Sequence, residues 1–209
     1  GRKAWRLLFE DQVFVDAALN PVALSLIRFL LGQSAVLSAN LWIIKPPNER
    51  ILPLHSDAAG ITLGAGQIAH VANASWLCTD YEDADDGPTV LVPGSFRFGR
   101  GTLPHESDPL DTPFPVVPLQ GKAGSLAIWH GGTWHGSIPR RRDGLRINLA
   151  QNWMRSYMKQ IHQWDDAPAD LLERYPELKH ILGLDSYFPY GENPNPDGKF
   201  ILTSIEPYA

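Results

Sequence analysis

Hydrophobic and polar positions divide the chain into three textures. Residues 22–31 are almost all apolar, with Asn20 and Pro21 before them and Gly32 after. An Asn side chain accepts from the first free N–H groups of a helix, Pro fits the first helical position, and Gly suits the stop. The pattern predicts a helix over about 20–32, apolar enough to be buried against something larger. From residue 35 to 154 the texture becomes short runs rich in β-branched and aromatic residues, at 35–44, 76–79, 89–92, 114–117, 126–129 and 145–153. Turn clusters such as Pro46–Pro47–Asn48, Pro93–Gly94 and Gly131–Gly132 separate them. Short strands at such spacing predict an all-β sandwich or barrel. A third texture begins after Trp153. Residues 168–182 read as a helix ending at Gly183, and 186–209 form a tail rich in Pro, Gly and aromatics.

The expected architecture is therefore mainly β with flanking helices. It is read as one domain over 1–209, with a core at about 35–155, an N-terminal helix at about 20–32, and a C-terminal helix and tail at about 156–209. No internal repeat or low-complexity tract breaks this up. The run 145–153 carries extra information, because alternate residues of a strand share a face. Leu145, Ile147, Leu149 and Gln151 fall on one side, and Arg146, Asn148, Ala150 and Asn152 on the other. A polar strand face meets either water or, in a barrel, a ligand cavity.

Composition narrows the function classes. The 18 Gly and 18 Pro among 209 residues disfavour a helical bundle. No uninterrupted apolar run is long enough to span a bilayer. The net charge of -5 argues against general nucleic-acid binding, which needs clustered Lys and Arg. The one basic run, Arg140–Arg141–Arg142, reads as a solvated loop. Cys78 is the only cysteine, so neither an internal disulfide nor a thiolate cluster can form, and the chain fits a reducing cytoplasm. The expected partner is a small molecule, with no nucleic acid and no membrane. Oligomeric state is left open, and a monomer meets every expectation here.

Candidate chemistry starts at His55–Ser56–Asp57. In an extended segment residues i and i+2 point the same way, so an imidazole and a carboxylate can hold one metal ion from adjacent directions. With seven histidines in the chain, His-x-Asp alone carries little weight. A third ligand has to come from elsewhere, and His135 supplies one after the run Leu126–Ala127–Ile128–Trp129. Eleven residues further on stands Arg146. If its strand pairs beside the one carrying His135, Arg146 lies deeper in the same cavity. His55, Asp57 and His135 would then form a 2-His-1-carboxylate face with three open positions, which suits non-haem Fe(II) and O₂. A chelating dianion would fill two of them, with its far carboxylate on the Arg146 guanidinium.

Leu54–His55–Ser56–Asp57, Trp76–Leu77–Cys78–Thr79–Asp80, the stretch from Asp86–Gly87–Pro88 to Pro93–Gly94–Ser95, and Trp134–His135–Gly136–Ser137 with Arg146 beyond resemble the phytanoyl-CoA dioxygenase family. The resemblance covers roughly 35–155. It implies an Fe(II)/2-oxoglutarate-dependent oxygenase on a double-stranded β-helix, or jelly roll. It also implies hydroxylation of a small organic substrate, with release of succinate and CO₂ and with ascorbate as a reductant. By that resemblance His55, Asp57 and His135 hold the iron, Arg146 binds the 2-oxoglutarate C5 carboxylate, and Ser137 adds a hydroxyl beside it. Trp76 matches a position close to the co-substrate, and Asn40, on the early strand, is assigned a contact to its C1 end. Related halogenases carry a small residue where Asp57 stands, which favours C–H oxidation over halogenation here. Phe96 follows Pro93–Gly94–Ser95 where the family often has His, a departure expected to touch a loop and spare the metal face.

Other motifs compete poorly. Gly64–Ala65–Gly66–Gln67–Ile68–Ala69 matches a dinucleotide fingerprint, but no helix follows it. Glu82 to Gly87 begins like a calcium loop, yet Ala84 and Pro93 fall where ligands belong. No Gly-x-Ser-x-Gly nucleophile elbow occurs. His130 is read as structural. Tyr187, Phe188 and Tyr190 are either a lid or ordinary packing. A non-catalytic binding jelly roll and a cupin-like metal isomerase that does not use 2-oxoglutarate remain as alternative readings.

Overall fold

The computed structural model describes residues 2–61 and 68–185. In chain order these form β1 (Arg2–Trp5), α1 (Gln12–Ala18), α2 (Pro21–Leu31), β2 (Ala35–Lys45), β3 (Leu52–His55), β4 (Val71–Leu77), β5 (Thr89–Leu91), β6 (Val117–Pro118), β7 (Leu126–His130), β8 (His135–Ser137), β9 (Arg146–Arg155), α3 (Ala169–Arg174) and α4 (Glu177–Ile181). The strands make two antiparallel sheets. One has five strands in the order β1-β2-β9-β4-β7, the other four in the order β3-β8-β5-β6. The fold is a jelly roll with flanking helices, as the strand pattern and the resemblance implied.

Helix α2 forms where its signals lie. Asn20 Oδ1 accepts from Val22 N and Ala23 N, Pro21 takes the first position, and Gly32 closes the helix at φ 87°. Ala23, Leu24, Ile27 and Leu31 recur every three to four residues and form its buried stripe. Burying each Leu or Ile stabilises the fold by on the order of 2 kcal/mol. The stripe packs with Phe14 and Val15 of α1 and Ile181 of α4 onto Leu37, Leu149 and Trp153 on the back of the five-stranded sheet.

Three expectations need correcting. The helix over 168–182 is two helices, because Pro176 has no N–H to continue the ladder and Tyr175 before it turns out to φ -128°, ψ 77°. Of the strand expected at 76–79 only Trp76 and Leu77 are strand, the end of β4, which starts at Val71; small residues such as Ala72, Ala74 and Ser75 hid its first half, although it lies between β9 and β7. Strand β9 does not pair beside the strand carrying His135. It pairs with β2 and β4, while β8 sits between β3 and β5 in the opposite sheet. Segments β1 and α1, short and lacking periodicity, were not read from the sequence at all. Residues 62–67 of the glycine-rich loop and the tail with Tyr187, Phe188 and Tyr190 lie outside the described residues.

Alternation along β9 is as the sequence indicated. Arg146, Asn148, Ala150 and Asn152 point between the sheets, and Leu149 and Trp153 point to the helices. In the small sheet β8 presses closely on β3. A Cβ on Gly136 would lie 2.4 Å from Leu52 O, so only glycine allows the strand beside His135 to approach. Among the described residues no single helix is long and apolar enough to cross a membrane.

Candidate metal and anion site

His55 ends β3 and His135 begins β8, and the two are paired partners in the register of these strands. Their rings lie 4.3 Å apart, centre to centre. Asp57 follows in the turn after β3, with its N–H donating to Gly131 O at 3.0 Å. Asp57 Oδ1 is 3.6 Å from His55 Nε2, and Oδ2 is 3.6 Å from His135 Nε2. One ligand atom from each of the three residues lies within 4.8 Å of the others, a spacing that can hold one ion.

The donor set fits a cation. His55 Nδ1 lies 2.9 Å from Pro53 O and His135 Nδ1 lies 3.0 Å from Thr133 O. A carbonyl oxygen can only accept, so each Nδ1 bears the hydrogen. A ring whose single hydrogen sits on Nδ1 has its Nε2 lone pair free to bind a cation, and both Nε2 atoms lie beside the carboxylate. Three electron-rich atoms pointing together repel unless a positive ion lies among them. Burial lowers the His135 pKa, partly offset by the Asp57 charge, so this ring stays neutral and ready to ligate at neutral pH.

Asp57 is held from the opposite sheet. Asn152 Nδ2 donates to Asn73 Oδ1 at 3.0 Å, and Asn73 Nδ2 donates to Asp57 Oδ2 at 2.6 Å. Asn73 was missed by sequence reasoning. Its signal was its place three residues before Trp76, an odd spacing that puts it on the other face of β4.

A cavity of about 350 Å³ opens between the sheets and includes His55, Asp57 and His135 at one side. Its far end holds Arg146, Lys45, Ser137 and Thr89. Arg146 thus reaches the cavity from the five-stranded sheet and not from a strand beside β8. It is 2% exposed, donates to Gly87 O at 2.7 Å, and lies over the Tyr81 ring at 5.3 Å. Burial pushes the Tyr81 hydroxyl up to about 12, so the ring beside Arg146 is neutral. Lys45, which sequence reasoning also missed, donates to Ser137 Oγ at 3.0 Å and to Ile138 O. Burial and the neighbouring Arg146 and Arg140 bring its ammonium down to about 8.

The basic run is not merely a solvated loop. Arg140 is buried and donates to Asp86 Oδ1 at 2.9 Å, and Arg142 Nε lies 3.0 Å from the same oxygen. The buried Asp86 carboxylate is thereby engaged by two guanidinium groups.

Two assigned contacts are displaced. Trp76 packs with the apolar cluster under the helices, paired in register with Leu149, and does not line the cavity. Asn40 pairs with Gln151 and shares its buried outer face; the neighbours that reach the cavity are Ala39 and Leu41. His130 stacks on Phe96 at 4.8 Å and accepts from Gly132 N at 2.9 Å, apart from the ligand set. Ser95 Oγ donates to Val92 O and accepts from Trp134 N, each at 2.7 Å, which fixes the residue before His135.

Comparison with known proteins follows the same lines. Dioxygenase af480 of Aspergillus fumigatus is 28% identical over 177 residues, which is 83% of this chain and 56% of that protein. The chain therefore spans just over half the length of this curated relative. HygX from Streptomyces hygroscopicus, solved with nickel and 2-oxoglutarate bound, superposes with a TM-score of 0.66 at 18% identity, covering 81% of this chain and 75% of that one. The non-heme alpha ketoglutarate dependent epimerase SnoN gives a TM-score of 0.57 at 19% identity, covering 74% and 61%. At such identities these two likenesses speak for the fold. A family model described as Phytanoyl-CoA dioxygenase (PhyH) matches residues 2–148, well over half the sequence, and the chain belongs to that family.

Proposed function

We propose that this chain is an Fe(II)/2-oxoglutarate-dependent oxygenase, and that 1–209 act as one domain about the core at 35–155. The observation that carries the reading is the pairing of two unlike sites in one cavity: a cation seat at His55, Asp57 and His135, and a buried positive end at Arg146. A ligand that chelates a metal at one end and carries a carboxylate at the other bridges them, and 2-oxoglutarate has that form. A cupin-like isomerase that does not use 2-oxoglutarate has no need of the buried guanidinium.

In this reading iron, 2-oxoglutarate and O₂ together supply the oxidant. The balance for hydroxylation is substrate C–H plus 2-oxoglutarate plus O₂ giving C–OH plus succinate plus CO₂. The chain's own part is to bind, orient and exclude. His55, Asp57 and His135 hold the ion on one face and leave the other open. Arg146 and Ser137 hold the distal carboxylate, and each charge-assisted bond there is worth about 1.5–3 kcal/mol. Asn73 fixes the Asp57 oxygen that does not face His55. Leu41, Ile43, Leu52 and Trp129 on the cavity wall give a small organic substrate an apolar surface beside the metal face.

The test is turnover. Purified protein supplied with Fe(II), 2-oxoglutarate, ascorbate and O₂ is expected to release succinate slowly even without its substrate, as co-substrate oxidation runs uncoupled. Absence of succinate above a metal-free control counts against the reading and for a non-catalytic binding fold.

A further inference from the structure

Lys45 and Arg146 are buried cations on facing positions of β2 and β9, paired in register. Lys45 is 5% exposed and Arg146 is 2% exposed. Like charges directly opposite one another in a sheet repel, and burial removes the water that would screen them. Among the described residues neither has a carboxylate within ion-pair distance, and Asp86, whose charge reaches Arg146, is itself engaged by Arg140 and Arg142. Arg146 Nε has no hydrogen-bond partner among the described residues. Lys45 uses two of its three ammonium hydrogens, on Ser137 Oγ and Ile138 O. Both side chains line the same cavity as Ser137. The arrangement is unfavourable until an anion enters.

We propose that Lys45 is a second cation of the seat for the distal carboxylate, sharing that carboxylate with Arg146 and setting the Ser137 hydroxyl. The second role follows from hydrogen-bond direction. Lys45 can only donate, so it occupies a lone pair of Ser137 Oγ, and the serine's own hydrogen is left to donate into the cavity. The seat then presents a guanidinium, an ammonium and a hydroxyl to one carboxylate. Such a seat selects a 2-oxo diacid over a 2-oxo monoacid more strongly than Arg146 does alone. This inference rests on the proposed function and names a further residue for the same site.

The competing role for Lys45 is a plain cross-link, tying the end of β2 to β8. Binding separates the two. Calorimetry on the Ni(II)-loaded protein compares 2-oxoglutarate with 2-oxopentanoate, in which a methyl group replaces the distal carboxylate. Lys45→Met is expected to weaken 2-oxoglutarate about tenfold or more, in line with loss of a charge-assisted bond, and to leave 2-oxopentanoate within about twofold. Lys45→Arg should recover most of the loss. Equal weakening of both ligands, or no weakening of either, overturns the proposal while the oxygenase reading stands. If the parent protein binds Ni(II) but not 2-oxoglutarate, both fail together. Should Lys45→Met not fold, Lys45→Gln keeps a donor to Ser137 without the charge, and it is read by the same ligand comparison.

Discussion

The five-stranded sheet has its back under α1, α2 and α4, with Leu8, Ile27, Leu37 and Trp153 wholly out of water. Among the described residues the four-stranded sheet opposite has a smaller cluster, with Leu54, Val90, Val92 and Trp134 buried and Phe114, Val116 and Ile138 half-buried against them. Yet His55 and His135 stand on the second sheet, and Asp57 follows from it. What replaces core there is a set of polar and aromatic braces. Arg100 holds Glu106 through two bonds of 2.6 and 2.8 Å and lies over the Trp134 ring at 5.0 Å. Thr102 Oγ1 donates to Leu54 O at 2.9 Å. One wall is thus held by hydrophobic burial, and the other by directed contacts that fix ligand geometry. Hydrophobic burial stabilises but is not directional, whereas a metal face needs direction.

Substitutions can break or sharpen that contrast. The largest effect is expected from Ile27→Asp, which places an unpaired charge under the large sheet. It should cost about 3–5 kcal/mol and take the whole fold with it, read as one lowered urea midpoint by circular dichroism and by Trp fluorescence. Loss of the metal face alone, with the midpoint unchanged, would contradict the idea that this wall carries the fold. Asn73→Ala comes next. It removes the bond from the large sheet to Asp57, and metal affinity should fall by about tenfold with little change in stability. Titration with Fe(II) or Ni(II) reads this, and an unchanged affinity would make the Asn152–Asn73–Asp57 chain incidental. The smallest effect concerns pH. The Arg100 guanidinium holds the Glu106 carboxyl down at about 2, against an ordinary 4.5. A depressed carboxyl stabilises the fold above its ordinary pKa, and the contribution drains as pH falls from about 4.5 toward 2. Glu106→Gln should therefore flatten part of the acid dependence of the urea midpoint in that window. Equal slopes for parent and variant would remove Glu106 from the bracing.

Much of this contrast could be read along the chain wherever the signal was local. The α2 caps, the His-x-Asp spacing and the alternation of β9 need only neighbouring residues. Missed or misplaced features needed strand register, which no single segment carries. The alternation had already put Leu149 and Gln151 on the face opposite Arg146. Only the pairing of Trp76 with Leu149 and of Asn40 with Gln151 shows that these two side chains go with them, away from the cavity. The same register brings Lys45 beside Arg146 and Asn73 beside Asn152, which are distant in sequence. The arrival of Arg146 from the sheet opposite His135 is likewise a property of the closed roll and not of either strand.

The central claim is that one cavity joins a three-residue metal seat to a separate positive end. Calorimetry on two variants tests it most directly. Asp57→Ala is expected to lose Fe(II), and with it the tight binding of 2-oxoglutarate. Arg146→Ala is expected to keep Fe(II) within about twofold and to lose 2-oxoglutarate affinity by about tenfold or more. An Arg146→Ala protein that binds 2-oxoglutarate as tightly as its parent, or an Asp57→Ala protein that holds Fe(II) undiminished, would contradict the account.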